Sequence, residues 1–412
     1  MSSTLSQRRS RPFLSVVVPS FEGAEQLDRL LAALELQTMG HDHFEVVIAD
    51  DGSPQPPEPG GRPFRVRVVG QADLGFRAAA ARNLGAQAAA GDVIVFLDQD
   101  CVPSPRYLER VTQHTNDGWN LTVGRRRHVD LKGWNGIRTA SWLAGDGPAP
   151  RDLTDPPWLV DGYARTDNLR RPDARAYQLV ISAALTVSRD LHEHLSGFDE
   201  SFTTYGGEDW DYGHRAIVAG AELCHLPEAV VWHDGPDLAD RDQLVSTKNA
   251  ETLALARRLP DRDVRGEHLF WSQPDIVVRL DAQHAEPATV VASIESLLAG
   301  SDAHVWLGGG AEGDPLSIED PRVHVGAPSA AILGRARYVV DCAPVLLAGT
   351  TLRHLCLEAP VRTEHLALRT TRSLHREGRG LSFPPWRAWP AGAQVTRLRR
   401  APLLERYWQT RP

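Results

Sequence analysis

The 412-residue chain has few cysteines, no long apolar run and no strong excess of charge. Its four cysteines, Cys101, Cys224, Cys342 and Cys356, lack the spacing of metal or redox motifs, which predicts reduced thiols and a cytoplasmic protein. No apolar stretch is long enough for a membrane helix, and the polar segment 1–12 lacks the core of a signal peptide. A net charge of -8 does not favour a nucleic-acid partner. We therefore expect a flexible tail over 1–12 and no membrane insertion.

Continuous apolar runs indicate the strands of a parallel sheet. The runs at 14–19, 44–49 and 91–97 are typical of strands that are buried on both faces. Leucines at helical spacing follow the first run, and an alanine-rich helical stretch at 76–90 precedes the third. This alternation predicts an α/β fold, and the length of the chain allows two hydrophobic cores.

Acidic residues follow two of these predicted strands. Asp50 and Asp51 come directly after the second run, and Asp98 and Asp100 come directly after the run at 91–97. Ligands of open α/β sheets bind at the carboxyl ends of the strands, and an Asp-x-Asp pair can hold a divalent cation that neutralises a diphosphate. Turn chemistry alone is the alternative, because aspartate is also a favoured turn residue. The repetition at one sheet edge favours a ligand site.

A second acidic feature lies at the start of a predicted helix. Gly206 and Gly207 allow a tight backbone, and Glu208 and Asp209 then arrive at the helix N-terminus, where the dipole favours negative charge. These two acids are candidates for acid/base catalysis. An acidic helix cap without function is the other interpretation.

Two further features remain open from the residues alone. The irregular segment 130–177 is rich in tryptophan and tyrosine, which suits either a platform for sugar rings or a peptide, or a small satellite core. His233 ends a predicted strand at 229–233. A histidine there is more often structural, although this one could complete a metal site.

The ordered motifs of residues 13–240 resemble those of family 2 glycosyltransferases, which have the GT-A nucleotide-sugar fold. The resemblance rests on Ala-Asp-Asp-Gly-Ser at 49–53, Phe-Leu-Asp-Gln-Asp at 96–100, Gly-Phe-Asp-Glu at 197–200, Gly-Gly-Glu-Asp at 206–209 and Val-Trp-His at 231–233. The glycine-containing motifs are most similar to the branch with galactosyl- and N-acetylgalactosaminyl-transferases and chondroitin polymerases. The Q/RxxRW signature of processive membrane synthases is missing.

The resemblance implies a metal-dependent, inverting transfer of a sugar from a nucleoside diphosphate, with uridine diphosphate as the leading donor and a glycan, small molecule or peptide as acceptor. Asp209 is then the general base, Glu208 bonds to substrate hydroxyls, and Mn²⁺ or Mg²⁺ is the cofactor. The implied donor-binding residues are Pro19, Phe21, Glu22, Asp51, Arg82, Asp98, Gln99 and Gly207, and the implied metal ligands are Asp100 and His233.

Two other functions are compatible with parts of the pattern. A nucleotidyltransferase that makes sugar nucleotides also uses an α/β sheet and acidic metal ligands, but it normally carries a glycine-rich loop where this chain has 19–22. A non-catalytic sugar- or peptide-binding protein would not need acids at three separate places.

The second half repeats the strand and helix order of the first without its acids. Residues 308–310 are glycines where the first half has Asp50 and Asp51, and Asp341 is followed by Cys342 and Ala343. We therefore predict a GT-A catalytic domain over 13–262 and a degenerate GT-A-like domain over 263–412, with one active site and a role for the second domain in homo-oligomer formation, acceptor docking or packing. The alternative is that the two halves look alike only because all β-α-β units do. Its tail from 362 is rich in arginine and tryptophan, which suits a solvated face or an anionic acceptor.

Overall fold

The computed structural model describes residues 14–115, 118–236, 245–266, 269–308, 316–382 and 384–409. The chain divides into two compact units, of which the first extends to Glu251 and the second begins at Thr252 and also takes in Val218–Gly220. The predicted tail 1–12 and residues 309–310 lie outside the described residues. No helix among the described residues has the length and apolar character that crossing a bilayer requires.

The first unit contains a twisted sheet with helices packed against it. Its strands are β1 Leu14–Ser20, β2 Phe44–Asp50, β3 Arg65–Gly70, β4 Val93–Leu97, β5 Cys101–Pro103, β6 Asn120–Asp130, β7 Arg151–Asp152, β8 Ala184–Ser188 and β9 Glu222–Asp234. Its helices are α1 Ala24–Glu35, α2 Ala78–Ala88, α3 Tyr107–Thr112, α4 Gly136–Ala144, α5 Pro157–Arg165, α6 Arg189–His194, α7 Glu208–Val218 and α8 Val245–Ala256, which continues into the second unit.

The strand order of this sheet is β3-β2-β1-β4-β8-β6-β9-β5, and β7 pairs with β6. Strands β1 to β4 are parallel, whereas β8 runs antiparallel to β4. Every residue of β2 and β4 is buried, which explains why these strands consist of almost unbroken apolar residues. Chain connections leave β1 toward β2 on one side and reach β4 on the other, so a crevice opens at the carboxyl ends of β1 and β4.

Helix α2 packs very closely on this sheet because of a glycine. A Cβ atom on Gly85 would lie 2.4 Å from Cγ1 of Val17 in β1. Arg82 lies one helical turn earlier on the same face and is almost fully buried, with 4% of its surface exposed. The close approach of α2 therefore brings the Arg82 guanidinium to the carboxyl edge of the sheet.

The second unit is built on a smaller sheet. Its strands are β10 Ile276–Asp281, β11 Ala303–Gly308, β12 Val323–Val325, β13 Tyr338–Cys342, β14 Val345–Ala348, β15 Val361–Arg362, β16 Leu366–Thr370 and β17 Gln394–Arg397. Its helices are α9 Arg262–Arg265, α10 Pro287–Leu298, α11 Ala330–Leu333, α12 Leu352–Leu357, α13 Thr371–Gly378 and α14 Leu404–Gln409. The main sheet has the order β12-β11-β10-β13-β16-β15, and β14 pairs with β17.

The predicted α/β class is confirmed, with a GT-A type first domain followed by a smaller α/β domain. The expectation for 130–177 was wrong in part, because this segment contains helices α4 and α5 between its loops. The sequence interpretation also missed β5 and most of β6. The tail tryptophans lie against other residues: Trp386 packs under the guanidinium groups of Arg362 and Arg369, and the Trp408 indole N–H donates to Glu295.

Candidate active site

A cavity of about 1420 Å³ lies at the carboxyl edge of the first sheet. The predicted site residues that line it are Pro19, Phe21, Asp51, Arg82, Asp98, Gln99, Asp100, Gly207, Glu208 and Asp209. Glu22 and His233 were predicted with them but are not lining residues. The cavity thus brings together the acids that follow β2 and β4 and the acids that begin α7.

One buried guanidinium connects two of these acidic groups. Arg82 donates from Nη2 to Oδ1 of Asp98 at 2.7 Å and from Nη1 to Oε1 of Glu208 at 2.9 Å. Glu208 is only 7% exposed, so its charge needs this partner. The single guanidinium group of Arg82 therefore holds the carboxylates of Asp98, after β4, and Glu208, at the start of α7, close to each other.

Asp209 is held at the N-terminus of α7 by a turn of two glycines. Gly206 and Gly207 both have left-handed φ angles, 92° and 95°, which favour glycine. The backbone N–H of Trp210 donates to Oδ1 of Asp209 at 2.8 Å. Burial and the nearby charge of Glu208 raise the pKa of Asp209 to about 7, although the charge of Arg82 acts to lower it. A carboxylate with this pKa can accept a proton near neutral pH.

Asp100 and His233 form a pair at the side of the cavity. Cys101 in β5 is the register partner of His233 in β9, and this pairing places Nε2 of His233 3.2 Å from Oδ2 of Asp100. Burial alone would raise the pKa of Asp100, but the hydrogen bond and charge of His233 outweigh it and lower this pKa. Burial lowers the pKa of His233, whereas the Asp100 carboxylate raises it more strongly.

This pair fits the chemistry of a divalent cation. A carboxylate oxygen and an imidazole nitrogen are suitable ligands for Mn²⁺, and Asp98 also lines the cavity. The Nδ1 atom of His233 is buried without a hydrogen-bond partner, and the other ring nitrogen, Nε2, is the one that faces Asp100. Among the described residues, no group of three histidine, cysteine or acidic side chains is already arranged around one point.

The residues expected to bind the nucleoside lie near the end of β1 and β2. Asp51 accepts a hydrogen bond from the backbone N–H of Arg77 at 2.8 Å and is 7% exposed. Phe21 is 44% exposed at the cavity, and its carbonyl accepts from Nε2 of Gln99 at 3.2 Å. Glu22 instead adopts a left-handed φ of 53° just before α1 and donates its N–H to Ser53.

The sequence interpretation missed several cavity residues, above all Arg126. This arginine lies in β6 and lines the cavity, and its charge helps to lower the pKa of Asp100. Lys248 of α8 also lines the cavity and donates to Glu251 at 2.9 Å. Arg126 lies within three consecutive arginines, a pattern that resembles an exposed strand and gave no signal of a buried site.

Part of the aromatic segment forms a small satellite core, which was one of the two interpretations left open. Trp134 and Trp142 pack edge to face at 5.9 Å in a satellite core, and Trp142 meets Trp232 at 4.6 Å. Tyr163 is buried and stacks on His225 at 3.5 Å. Only Trp158, which is 39% exposed, lines the cavity from this group of tryptophans and tyrosines.

The fold and the cleft together define an α/β domain with an acidic cleft at the carboxyl edge of its sheet. The chain belongs to glycosyl transferase family 2, whose model matches residues 15–172. Glycosyltransferase AglE of Haloferax volcanii is 33% identical over 239 residues, which cover 57% of this chain and 68% of that protein.

Two other relatives are similar over 52% and 60% of the chain. Validoxylamine A glucosyltransferase of Streptomyces hygroscopicus subsp. jinggangensis is 32% identical over 52% of this chain and 53% of that protein. Chondroitin synthase of Escherichia coli is 26% identical over 60% of this chain and 38% of that protein, in agreement with the predicted resemblance to chondroitin polymerases. The chain spans about half or less of the length of the first curated relatives it matches.

Proposed function

We propose that this chain transfers a sugar from a nucleoside diphosphate, with uridine diphosphate as the first choice, to a hydroxyl group of an acceptor, with inversion at the anomeric carbon. The observation that carries the proposal is the Arg82 bridge between Asp98 and Glu208. This bridge joins an acid that follows a strand, expected near the diphosphate, to an acid that begins α7, expected near the acceptor. Both acids line the same cavity. Family membership and the glycosyltransferase names of the relatives support the same reaction class.

In this proposal, Asp209 accepts the proton of the acceptor hydroxyl while that oxygen attacks the anomeric carbon. The bond between this carbon and the diphosphate oxygen breaks in the same displacement, and the nucleoside diphosphate leaves on the opposite face. Arg126 contributes positive charge on the side of Asp100, where the diphosphate is expected. Asp100 and His233 would hold a divalent cation, which when bound would neutralise charge on the departing diphosphate.

The acceptor side of the cavity suits a hydroxyl-bearing ring. Trp158 and Trp210 both line the cavity together with Asp209, and an aromatic face packs well against the C–H groups of a sugar or cyclitol. One relative is named for glucosyl transfer to validoxylamine A and another for chondroitin synthesis. We therefore propose a glycan or a polyhydroxylated small molecule as acceptor.

Donor hydrolysis across a panel of nucleotide sugars, with and without Mn²⁺, tests the proposal. We expect one donor to be hydrolysed slowly to a free sugar of inverted configuration, which NMR detects at the anomeric proton. Replacement Asp209→Asn should lower turnover by about 10²- to 10⁴-fold because the base is lost, while the Kd for the nucleoside diphosphate changes little. Asp190→Asn, at an exposed aspartate of α6, is the matched control. A panel in which no nucleoside diphosphate binds would refute the function.

A further inference from the structure

A second cleft, of about 660 Å³, lies wholly within the second unit. It opens at the carboxyl ends of β10 and β13. Strand β10 pairs with β11, the next strand in the chain, on one side and with β13 on the other. This is the topological switch point at which open α/β sheets bind their ligands. Its volume is within the usual range for small-molecule sites.

One acid that lines this cleft cannot act as the acids of the first unit do. Asp341 accepts from Nε of Arg279 at 2.7 Å and from Nη2 of Arg279 at 2.9 Å, and Arg369 donates to the same carboxylate at 3.2 Å. Both carboxylate oxygens are thus occupied by guanidinium groups. A divalent cation would meet two positive charges here, so metal-assisted departure of a diphosphate is disfavoured and the cleft is suited to binding without reaction.

The cleft is lined by hydrogen-bond donors and acceptors, and its charged side chains are of both signs. Gln283, His365 and Arg397 can donate hydrogen bonds, whereas Asp281 and Glu364 can only accept them when ionised. The two acids at the opening disfavour a polyanion, and the arginines disfavour a polycation. A sugar hydroxyl donates and accepts at once without carrying charge, so it can satisfy both kinds of group. Trp306, which also lines the cleft, adds an apolar surface of the kind that packs against sugar C–H groups.

We propose that this cleft is a non-catalytic binding site for a neutral oligosaccharide. The inference goes beyond the proposed transfer reaction and does not depend on it. A protein that failed to hydrolyse every nucleotide sugar would still bind the oligosaccharide.

A bulky substitution at the wall of the cleft provides the test. Ala327 lines the cleft and is exposed, so Ala327→Trp should fill the space without disturbing the core. Ala331 is also exposed but lies outside the lining, so Ala331→Trp is the matched control. Saturation-transfer NMR and calorimetric titration of the full chain would use neutral trisaccharides of glucose, galactose, mannose and N-acetylglucosamine, with a sulfated trisaccharide as the charged comparison.

We expect at least one neutral trisaccharide to bind the wild-type chain and the Ala331→Trp variant, with a loss of tenfold or more in Ala327→Trp. Donor hydrolysis should be the same in both variants, which separates this site from the catalytic cavity. The proposal is overturned if no neutral trisaccharide binds, if binding persists in Ala327→Trp, or if the sulfated trisaccharide binds more tightly through the same cleft.

Discussion

At the residue scale, the raised pKa of Asp209 predicts how the activity depends on pH. The carboxylate must be ionised to accept a proton, and burial holds its pKa at about 7. We expect kcat/KM to rise about tenfold per pH unit below this value and to level off above it. Initial rates between pH 5 and 9 would show this limb. A profile that is flat from pH 5 to 8 would exclude Asp209 as the base.

The same pKa predicts a stability effect for Asp209→Asn. An unfolded aspartate has a pKa of about 3.9, so between that value and 7 the folded state binds a proton that the unfolded state has released. The contribution of Asp209 to stability therefore decreases as the pH rises from about 4 to 7, and then stays constant. The free energy of unfolding of the Asp209→Asn variant, compared with that of wild type at the same pH, should therefore increase as the pH rises from about 4 to 7. Urea denaturation at pH 5 and pH 8 measures the difference, which should be larger at pH 8.

A third residue-scale prediction concerns Asp100. Its carboxylate meets His233 at 3.2 Å, and loss of its charge removes one of the two proposed cation ligands. We expect Asp100→Asn to raise the Mn²⁺ concentration for half-maximal activity by tenfold or more. Asp92→Asn, at an exposed aspartate before β4, should leave the metal response unchanged. An unaltered metal titration in Asp100→Asn would place the cation elsewhere.

The acidic residues of the candidate site could be predicted from the sequence, but their pKa values could not. Asp51, Asp98 and Asp100 follow recognisable buried strands, and strand ends of one sheet meet at one edge. The pKa of Asp209 depends on burial by segments far away in the chain. Arg126 enters the cavity only because β6 pairs with both β8 and β9.

At the element scale, the turn before α7 is the part of the site most sensitive to backbone changes. Gly206 has a φ of 92°, and a Cβ atom there would lie 3.1 Å from Cδ of Glu251. Gly145 has a similar φ of 88° but has nothing within 4 Å of the added atom. We expect alanine at either position to cost about 1–2 kcal/mol of stability because of the left-handed backbone. Only Gly206→Ala should also slow transfer, by tenfold or more, in assays with saturating donor.

Equal loss of activity in the two alanine variants would mean that the effect is general destabilisation. A selective loss in Gly206→Ala, with circular dichroism unchanged, would assign it to the position of Glu208 and Asp209.

Elements were predictable where burial dictates their composition. Strands β1, β2 and β4 are flanked by other strands and covered on both faces, so their residues are almost all apolar. Strand β6 begins with alternating polar and apolar residues over 120–123 and continues into Arg125, Arg126 and Arg127, and β5 has only three residues. Such elements depend on their neighbours in the sheet, which local patterns do not reveal.

At the scale of the whole molecule, the two sheets share one topology. The order β3-β2-β1-β4-β8-β6 in the first corresponds to β12-β11-β10-β13-β16-β15 in the second. In each, the first four strands are parallel and the fifth runs antiparallel to its neighbour. This correspondence supports a degenerate copy of the first unit, because similar β-α-β units need not continue into the same antiparallel strand.

Each unit also has its own hydrophobic core, which predicts that the first can function alone. Residues such as Val16, Val46 and Val95 belong to one core, and Val278, Leu297 and Val340 belong to the other. We expect a fragment that ends at Pro260 to fold and to bind the nucleoside diphosphate within threefold of the full-length Kd. Calorimetric titration measures the affinity, and light scattering of both chains tests whether the second unit forms an oligomer. A fragment that is folded by circular dichroism but no longer binds nucleotide would show that the site requires the second unit, against the assignment of one self-contained active site to the first.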